Sequence, residues 1–363
     1  MLHHRITQAD VAALARVSQA TVSLVLNDAA PAGVRISDET RQRVLDAIRI
    51  TGYMANPMAQ RLAGGRNQIL GVFTYEATFP ARGRDFYGPF LNGIERAAEG
   101  LGVDMLLFTS ARVVEGRRSL TREGWHRLGV ADGCLLLGQQ EDQSELQHLL
   151  DTNYPFVFIG RRRSERMRLP YVGADYVTAT SRQVDRLVRL GHATIAYVGP
   201  QGPDQPSADR VEGFRAAMEA HGLPARFLSS EDGAAAAGEI ISRGITAVLV
   251  APELHPEELA DELTARGVAV PRDLSIIVLG QPHHGRPHGH EWSGFAIPRE
   301  EMGARAVVLL SRLVEAARPR AGGSATAPVP SDELHQLLPC PDIEGATIAA
   351  PAESAVTRPG VTA

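Results

Sequence analysis

Residues 7–27, TQADVAALARVSQATVSLVLN, allow few folds. Thr7 followed three residues later by Asp10 is a capping-box variant, and Val11, Leu14 and Ala15 recur at helical spacing behind it. Arg16, Val17 and Ser18 break the pattern, and Ser18 caps a second helix running from Gln19 to about Leu26. On that helix Val22, Val25 and Leu26 point inward, which leaves Gln19, Ala20, Ser23, Leu24 and Asn27 outside. Two helices this short bury no core alone. A third starts at Ser37-Asp38-Glu39-Thr40, offers Val44, Leu45 and Ile48 as its apolar face, and stops at Gly52. A three-helix head with an outward polar second helix is a shape that the DNA major groove accepts.

Charge follows the same division. Residues 1–66 hold eight arginines against five acids, a net of +3, which leaves −8 for the remainder of a chain whose total is −5. A basic head on an acidic body suits a protein that meets phosphate at one end. No apolar run approaches 18 residues and no charged-then-apolar leader opens the sequence, so membrane spans and secretion are not expected. Cys134 and Cys340 are the only cysteines, which favours a reducing cytoplasm over a disulfide framework.

The order DVA-x-L-A-x-VS-x-x-TVS-x-V-LN, then S-x-ET-R-x-RV, then GY-x-x-N-x-x-A-x-x-L, resembles the lactose-repressor (LacI/GalR) family of bacterial transcription regulators. The match runs through nearly all of residues 6–66, and a weaker collinear match continues to about residue 351. The resemblance implies a sequence-specific DNA-binding regulator, a repressor, that sits as a homodimer on a near-palindromic operator and answers to a small molecule. It also assigns residues. Gln19, Ala20 and Leu24 take the base-contact positions, and Thr7, Thr21, Ser23, Asn27, Arg35 and Arg41 fall to the phosphates. Gln19 has the geometry to pair with adenine, and Ala20 can touch a thymine methyl. Leu24 stands where relatives commonly carry Arg, and an apolar side chain gives no bidentate guanine contact.

After Gly52 comes NPMAQRLAGG, with Asn56 as cap, Pro57 at the first helical position and paired glycines as the stop. About two turns of helix are unstable in isolation, so this segment should form only when something packs on it. The resemblance implies a hinge helix that pairs with its dimer mate, with Asn56, Ala59 and Leu62 at the minor groove and Leu62 as the wedge that kinks the duplex.

From Ile69 short apolar runs alternate with helical segments: ILGVFTY, a helix from Tyr87 to Gly100, VDMLLFTS, a polar helix through Trp125, ADGCLLLG, YPFVFIG and LPYVGAD. The same rhythm continues through a helix, HATIAYVG, a second helix, ITAVLVA, a third helix and LSIIVLG. Repeated βα units over this length predict parallel, doubly wound sheets divided between two Rossmann-like subdomains. The expected fold is an all-α helix-turn-helix head joined to a periplasmic-binding-protein-like α/β core. The divisions are residues 1–55 for the head, 56–68 for hinge and linker, and 69–351 for the effector-binding and dimerisation core. Within the core the N-subdomain spans about 69–161 and 291–320 and the C-subdomain about 162–290 and 321–351, with crossings near 161, 291 and 320. Residues 352–363 read as a disordered tail. The leucine heptads that make tetramers of some relatives are missing, so a dimer is the expected assembly.

The resemblance places an effector in the cleft between subdomains, yet most of the polar pattern of relatives is gone. Arg210, in DRVEGF, keeps its place, whereas Gly160, Pro252, Gly280-Gln281 and Ile297 replace polar groups. Each unpaired buried hydroxyl costs on the order of 1–3 kcal/mol, so a simple sugar is disfavoured. Tyr75, Phe86, Tyr87, Arg210, Gln281 and Trp292 are the lining candidates for a different ligand, and a degenerate site with ligand-independent regulation is the alternative. His283, His284, His288 and His290 crowd a Gly/Pro loop, which opens a metal-sensing reading, although such a loop does not fix ligand geometry. A ligand-binding or enzymatic protein on the same core is the remaining alternative. Against catalysis, no G-x-S-x-G, P-loop or H-E-x-x-H motif is present, and no cofactor is called for.

Overall fold

A computed structural model describes residues 6–27, 36–53, 67–76, 86–109, 112–114, 117–120, 128–138, 142–163, 167–202, 204–229, 232–280, 289–317 and 329–352. The head comprises α1 (Gln8–Ala15), α2 (Gln19–Asn27) and α3 (Asp38–Thr51). Asp10 accepts the backbone N–H and the hydroxyl of Thr7, each at 2.7 Å, which fixes the start of α1. Arg16 closes α1 in the left-handed region at φ 55°, and the chain turns by 103° into α2. The Ser18 hydroxyl accepts the Thr21 N–H at 3.1 Å, the cap read from the sequence. Ser37 caps α3 and Gly52, at φ +64°, ends it in a conformation that disfavours a side chain.

Val11, Ala12, Ala15, Val22, Val25, Val44 and Ala47 form the core of the head. Two expected core positions are corrected. Leu14 is 50% exposed and Leu45 46% exposed, because Ala12 and Ala47 take the inner positions where the helices approach closely. Small residues there let three short helices share one core, and the larger leucines are left outside.

Twelve of the described strands build two six-stranded sheets. The first runs β13 (His335–Leu338), β7 (Tyr171–Ala174), β6 (Phe156–Ile159), β5 (Gly133–Leu137), β1 (Ile69–Thr74) and β2 (Asp104–Phe108), all parallel. The second runs β14 (Asp342–Ile343), β12 (Ser293–Phe295), β11 (Ser275–Val278), β10 (Ala247–Val250), β8 (Ile195–Val198) and β9 (Arg226–Leu228). Its strands are parallel except for β14, which runs against β12. Central strands are buried on both faces and read as unbroken apolar runs, as sheets covered by helices on both sides require. The helices are α4 (Gly88–Leu101), α5 (Gln143–Asp151), α6 (Tyr176–Arg189), α7 (Gln205–Ala220), α8 (Gly233–Ser242), α9 (Pro256–Ala265) and α10 (Arg299–Ala316). No single helix among the described residues is long and apolar enough to cross a membrane.

The sheets revise the expected crossings. β7 belongs to the first sheet, so the chain first crosses at Asp175 and not near 161. β12 belongs to the second sheet and α10 packs on α4, so the second crossing falls between Phe295 and Arg299 and not at 291. β13 and β14 sit in different sheets, which puts the third crossing between Leu338 and Asp342 and not at 320. The polar helix expected through Trp125 falls on residues outside those described, and ahead of it β3 (Arg112–Val114) and β4 (Arg117–Ser119) form an antiparallel hairpin that was not expected. It is docked from outside its own sequence, since the Arg118 N–H donates to the Tyr75 carbonyl at 2.7 Å and Glu145 accepts the Leu120 N–H at 2.7 Å. Trp125, the hinge segment 56–66 and the tail 353–363 lie outside the described residues.

Candidate nucleic-acid interface and inter-subdomain cleft

Gln19 and Ala20 stand exposed on the first turn of α2, and Leu24, one turn on, is half-buried. Thr7 is exposed but its hydroxyl is committed to Asp10, and the Thr21 hydroxyl meets that of Ser18 at 2.8 Å. Ser23 and Arg41 are half-buried. α2 carries no charge of its own, so its outward face offers an amide, a methyl and hydroxyls to whatever it meets. Arg35, Asn56, Ala59, Leu62 and the side chain of Asn27 lie outside the described residues.

In open parallel sheets a ligand crevice forms outside the carboxyl ends of strands where the strand order reverses. In the first sheet that point lies between β1 and β5, and in the second between β8 and β10. At the first, Glu76 follows β1 and Tyr87 precedes α4, and the Tyr87 hydroxyl donates to the Glu76 carboxylate. Burial and this carboxylate push the Tyr87 phenol well above its ordinary range, so it stays a donor. The positive charges of Arg118 and Arg162 act against that rise. Arg118 donates to the Thr74 hydroxyl at 3.0 Å and to the Glu76 carbonyl at 3.2 Å. Arg162 donates to the carbonyls of Gly138 and Arg161 and lies 3.9 Å over the Phe158 ring.

At the second switch point α7 carries Asp209 and Arg210, both buried. Asp209 is 3.2 Å from Arg161 and accepts the Gln205 amide at 2.7 Å; burial raises its pKa. Arg163 meets Glu212 at 2.8 Å. Both ion pairs join the segment after β6 to α7, and so join the two subdomains. The Arg210 guanidinium lies 4.1 Å over the Tyr176 ring, and its Nε is buried with no hydrogen-bond partner among the described residues. Burial pushes the Tyr197 phenol up to about 12 and raises that of Tyr176. Gly280 lies against Pro252 and Ile297, so the three form one apolar patch.

The lining candidates separate accordingly. Tyr87 and Arg210 stand at the two switch points. Tyr75 is buried in the N-subdomain core, stacked on Phe158 and edge-on to Phe73. Phe86 is 41% exposed beneath the Arg299 guanidinium. Trp292 is corrected: it is buried in the cluster against α8 and α9, with its indole N–H on Glu257 at 2.9 Å, and so serves the C-subdomain core. Gln281, His283, His284 and His288 lie outside the described residues. His290 packs on Trp292 and lies 3.4 Å from Glu257, and no group of three metal-ligating side chains occurs among the described residues. Glu76, Arg118, Arg161, Arg162 and Asp209 were missed; the arginine run at 161–163, directly after an apolar strand, was the available signal.

Two features bear on catalysis. Both cysteines are buried and free, and burial pushes the Cys340 thiol up to about 12 and Cys134 higher still, which keeps both protonated. His192 and Ser275 lie 3.1 Å apart, but both are buried and both bond the Ala349 carbonyl, so the pair ties down the closing segment.

Residues 7–56 match the model of bacterial regulatory proteins of the lacI family. Residues 77–249 match that of periplasmic binding proteins and the sugar-binding domain of the LacI family, and 184–330 that of a periplasmic binding protein-like domain. An HTH-type transcriptional regulator from the aml 5′ region of Streptomyces limosus is 32% identical over 285 residues, covering 74% of this chain and 77% of its own. The regulator CelR of Thermobifida fusca is 30% identical, covering 74% and 79%. Among solved structures, the lac repressor dimer bound to operator and the anti-inducer ONPF matches with a TM-score of 0.69 at 23% identity, over 96% of this chain and 100% of that one. A CelR–cellobiose complex matches with a TM-score of 0.59 at 25% identity, over 94% and 100%. A capped helix-turn-helix head, two switch-point sheets crossed three times by one chain, and these relatives agree: the protein belongs to the lacI family of bacterial regulatory proteins and is a DNA-binding transcriptional regulator.

Proposed function

We propose that the protein acts as a homodimeric repressor whose two heads read a near-palindromic operator and whose cleft binds a small effector without catalysing its conversion. One observation carries the DNA reading: α2 presents Gln19 and Ala20 outward, 103° from α1, on a head whose net charge is positive while the body is negative. Gln19 and Ala20 take base edges, with Leu24 at the margin. Thr7, Thr21, Ser23, Asn27, Arg35 and Arg41 position the head on the backbone. Asn56, Ala59 and Leu62 order as a hinge helix on DNA, with Leu62 wedged at the operator centre.

Control is a linkage. Ordering both hinges requires one relative orientation of the subdomains across the dimer, and an effector that prefers another orientation raises the cost of ordering them. Cytoplasmic residence follows from that role. Bound fragments are to be selected from random duplex DNA by the full-length protein and retested with Leu62→Ala. The reading expects a two-fold consensus and at least about tenfold weaker binding by the variant, since a lost wedge forfeits the contacts that a kink permits. Wild-type affinity in Leu62→Ala removes the hinge assignment, and failure to enrich any consensus removes the DNA assignment.

A further inference from the structure

We propose that Asp132 is a positioning residue for operator binding: it clamps the backbone where the chain from the head enters the core, so that the hinge follows the N-subdomain instead of swivelling on it. The inference rests on the operator reading above and adds a residue to it. The two carboxylate oxygens divide between two consecutive amides, Oδ1 accepting the Asn67 N–H and Oδ2 the Gln68 N–H, each at 3.0 Å. Hydrogen bonds to an ionised carboxylate are roughly twice as strong as neutral ones. The Asn67 side chain adds a third point, its amide donating to the Val130 carbonyl at 2.7 Å. Gln68 stands at φ 53°, a left-handed conformation that a residue with a side chain rarely adopts unless its surroundings hold it. Its carbonyl accepts the Asp104 N–H at 2.7 Å, so both of its backbone groups are committed.

The clamp and the cleft lie at opposite ends of one strand. β1 runs from Ile69 to Thr74, with the clamp just before it and Glu76 just after. It is paired on one side with β2 and on the other with β5, so strand and clamp turn together with the N-subdomain. The β1–β2 register begins at Ile69, one residue past the clamp. The bonds from Asp132 and Val130 therefore hold the incoming chain rather than the ladder. Without them two residues of loose backbone would lie between hinge and core. Their freedom would have to be removed each time both heads lock on one duplex, and that cost would be taken from operator affinity.

The test compares full-length wild type with Asp132→Asn, Asn67→Ala and, as a charge control, Asp104→Asn, whose site is exposed at the same end of the sheet. Asp132→Asn keeps the shape but has one acceptor oxygen, so only one of the two amides finds a partner. It should bind the selected duplex about tenfold or more weaker, and Asn67→Ala less so, while affinity for a scrambled duplex and the DNA-free melting temperature change little. The sign is diagnostic. Losing an acid eases repulsion from phosphate, so charge alone would strengthen binding, and Asp104→Asn should bind no weaker than wild type. Hydrogen exchange at the Asn67 and Gln68 amides, measured without DNA, should quicken in Asp132→Asn, a result independent of the operator reading. A wild type that prefers no duplex overturns that reading. A wild type that prefers its duplex while Asp132→Asn binds it equally well overturns this proposal alone, as does unchanged exchange at the two amides. So does a loss shared equally by the scrambled duplex and the melting temperature, because the carboxylate would then only hold the fold. Should Asp132→Asn not fold, Asn67→Ala decides, and wild-type operator affinity in that variant overturns the proposal.

Discussion

Gly93 on α4 and Gly303 on α10 meet where those helices cross. A Cβ on Gly93 would collide with the Glu300 carbonyl oxygen, and one on Gly303 with that of Phe90. Backbone therefore packs on backbone, and one added methyl must move a helix. Gly303→Ala should lower stability by about 1–3 kcal/mol, the usual cost of overpacking, read as an earlier urea midpoint; an unchanged midpoint would show that the crossing has slack. Nothing in the local sequence announces this contact, because a glycine inside a helical pattern reads only as a weak helix former. Ser18 and Asp10 were legible because caps are local, whereas Leu14 and Leu45 were misplaced because periodicity cannot say which of several apolar residues a close crossing admits. Arg210 was legible through the resemblance. Its contact with the Tyr176 ring was not, since Tyr176 stands on another helix, α6.

Elements buried on both faces were the most legible: β5, β6, β8 and β10 are short apolar runs bounded by Gly or Pro. The hairpin of β3 and β4 was not, because its charged strands lack alternation and its anchors, Tyr75 and Glu145, lie far along the chain. The closing segment after β14 is tied down the same way. The His192 Nε2 lies 2.8 Å from the Ala349 carbonyl and its Nδ1 2.9 Å from the Thr246 hydroxyl, an arrangement that a neutral ring satisfies. Burial holds the His192 pKa below the ordinary histidine value of 6.5, so the unfolded chain takes up the proton first as pH falls. The stability His192 supports is full above about pH 6.5 and is lost as pH drops from there toward its folded value. Melting temperature should thus fall more between pH 7.5 and 5.5 in wild type than in His192→Gln, in matched thermal melts. Parallel slopes would show that the imidazole titrates freely.

At the scale of the molecule, one chain divided between two sheets makes the cleft an adjustable joint. Among the described residues two ion pairs cross it, and their environments rank them. Arg163 and Glu212 are exposed, a class worth about 0–1 kcal/mol, whereas Asp209 is buried and its removal strands Arg161. Asp209→Ala should therefore depress the melting temperature well beyond Glu212→Ala, and equal effects would mean that neither pair holds the subdomains together. The crossings were misread because a strand's sheet is decided by its partner: β7 follows the same kind of apolar run as β8, and pairing alone assigns it to the first sheet. Orientation of the subdomains matters because two heads must reach one duplex at once. The central claim is that paired heads grip a two-fold symmetric duplex through phosphate charge and base edges together. The direct measurement is fluorescence anisotropy of the full-length protein on its selected duplex and on a scrambled one, across salt, with the stoichiometry of the complex determined. The account predicts two chains per selected duplex, strong preference over the scramble, and affinity that falls steeply and linearly on a log–log salt plot; a monomer that binds both duplexes alike, or neither, would contradict it.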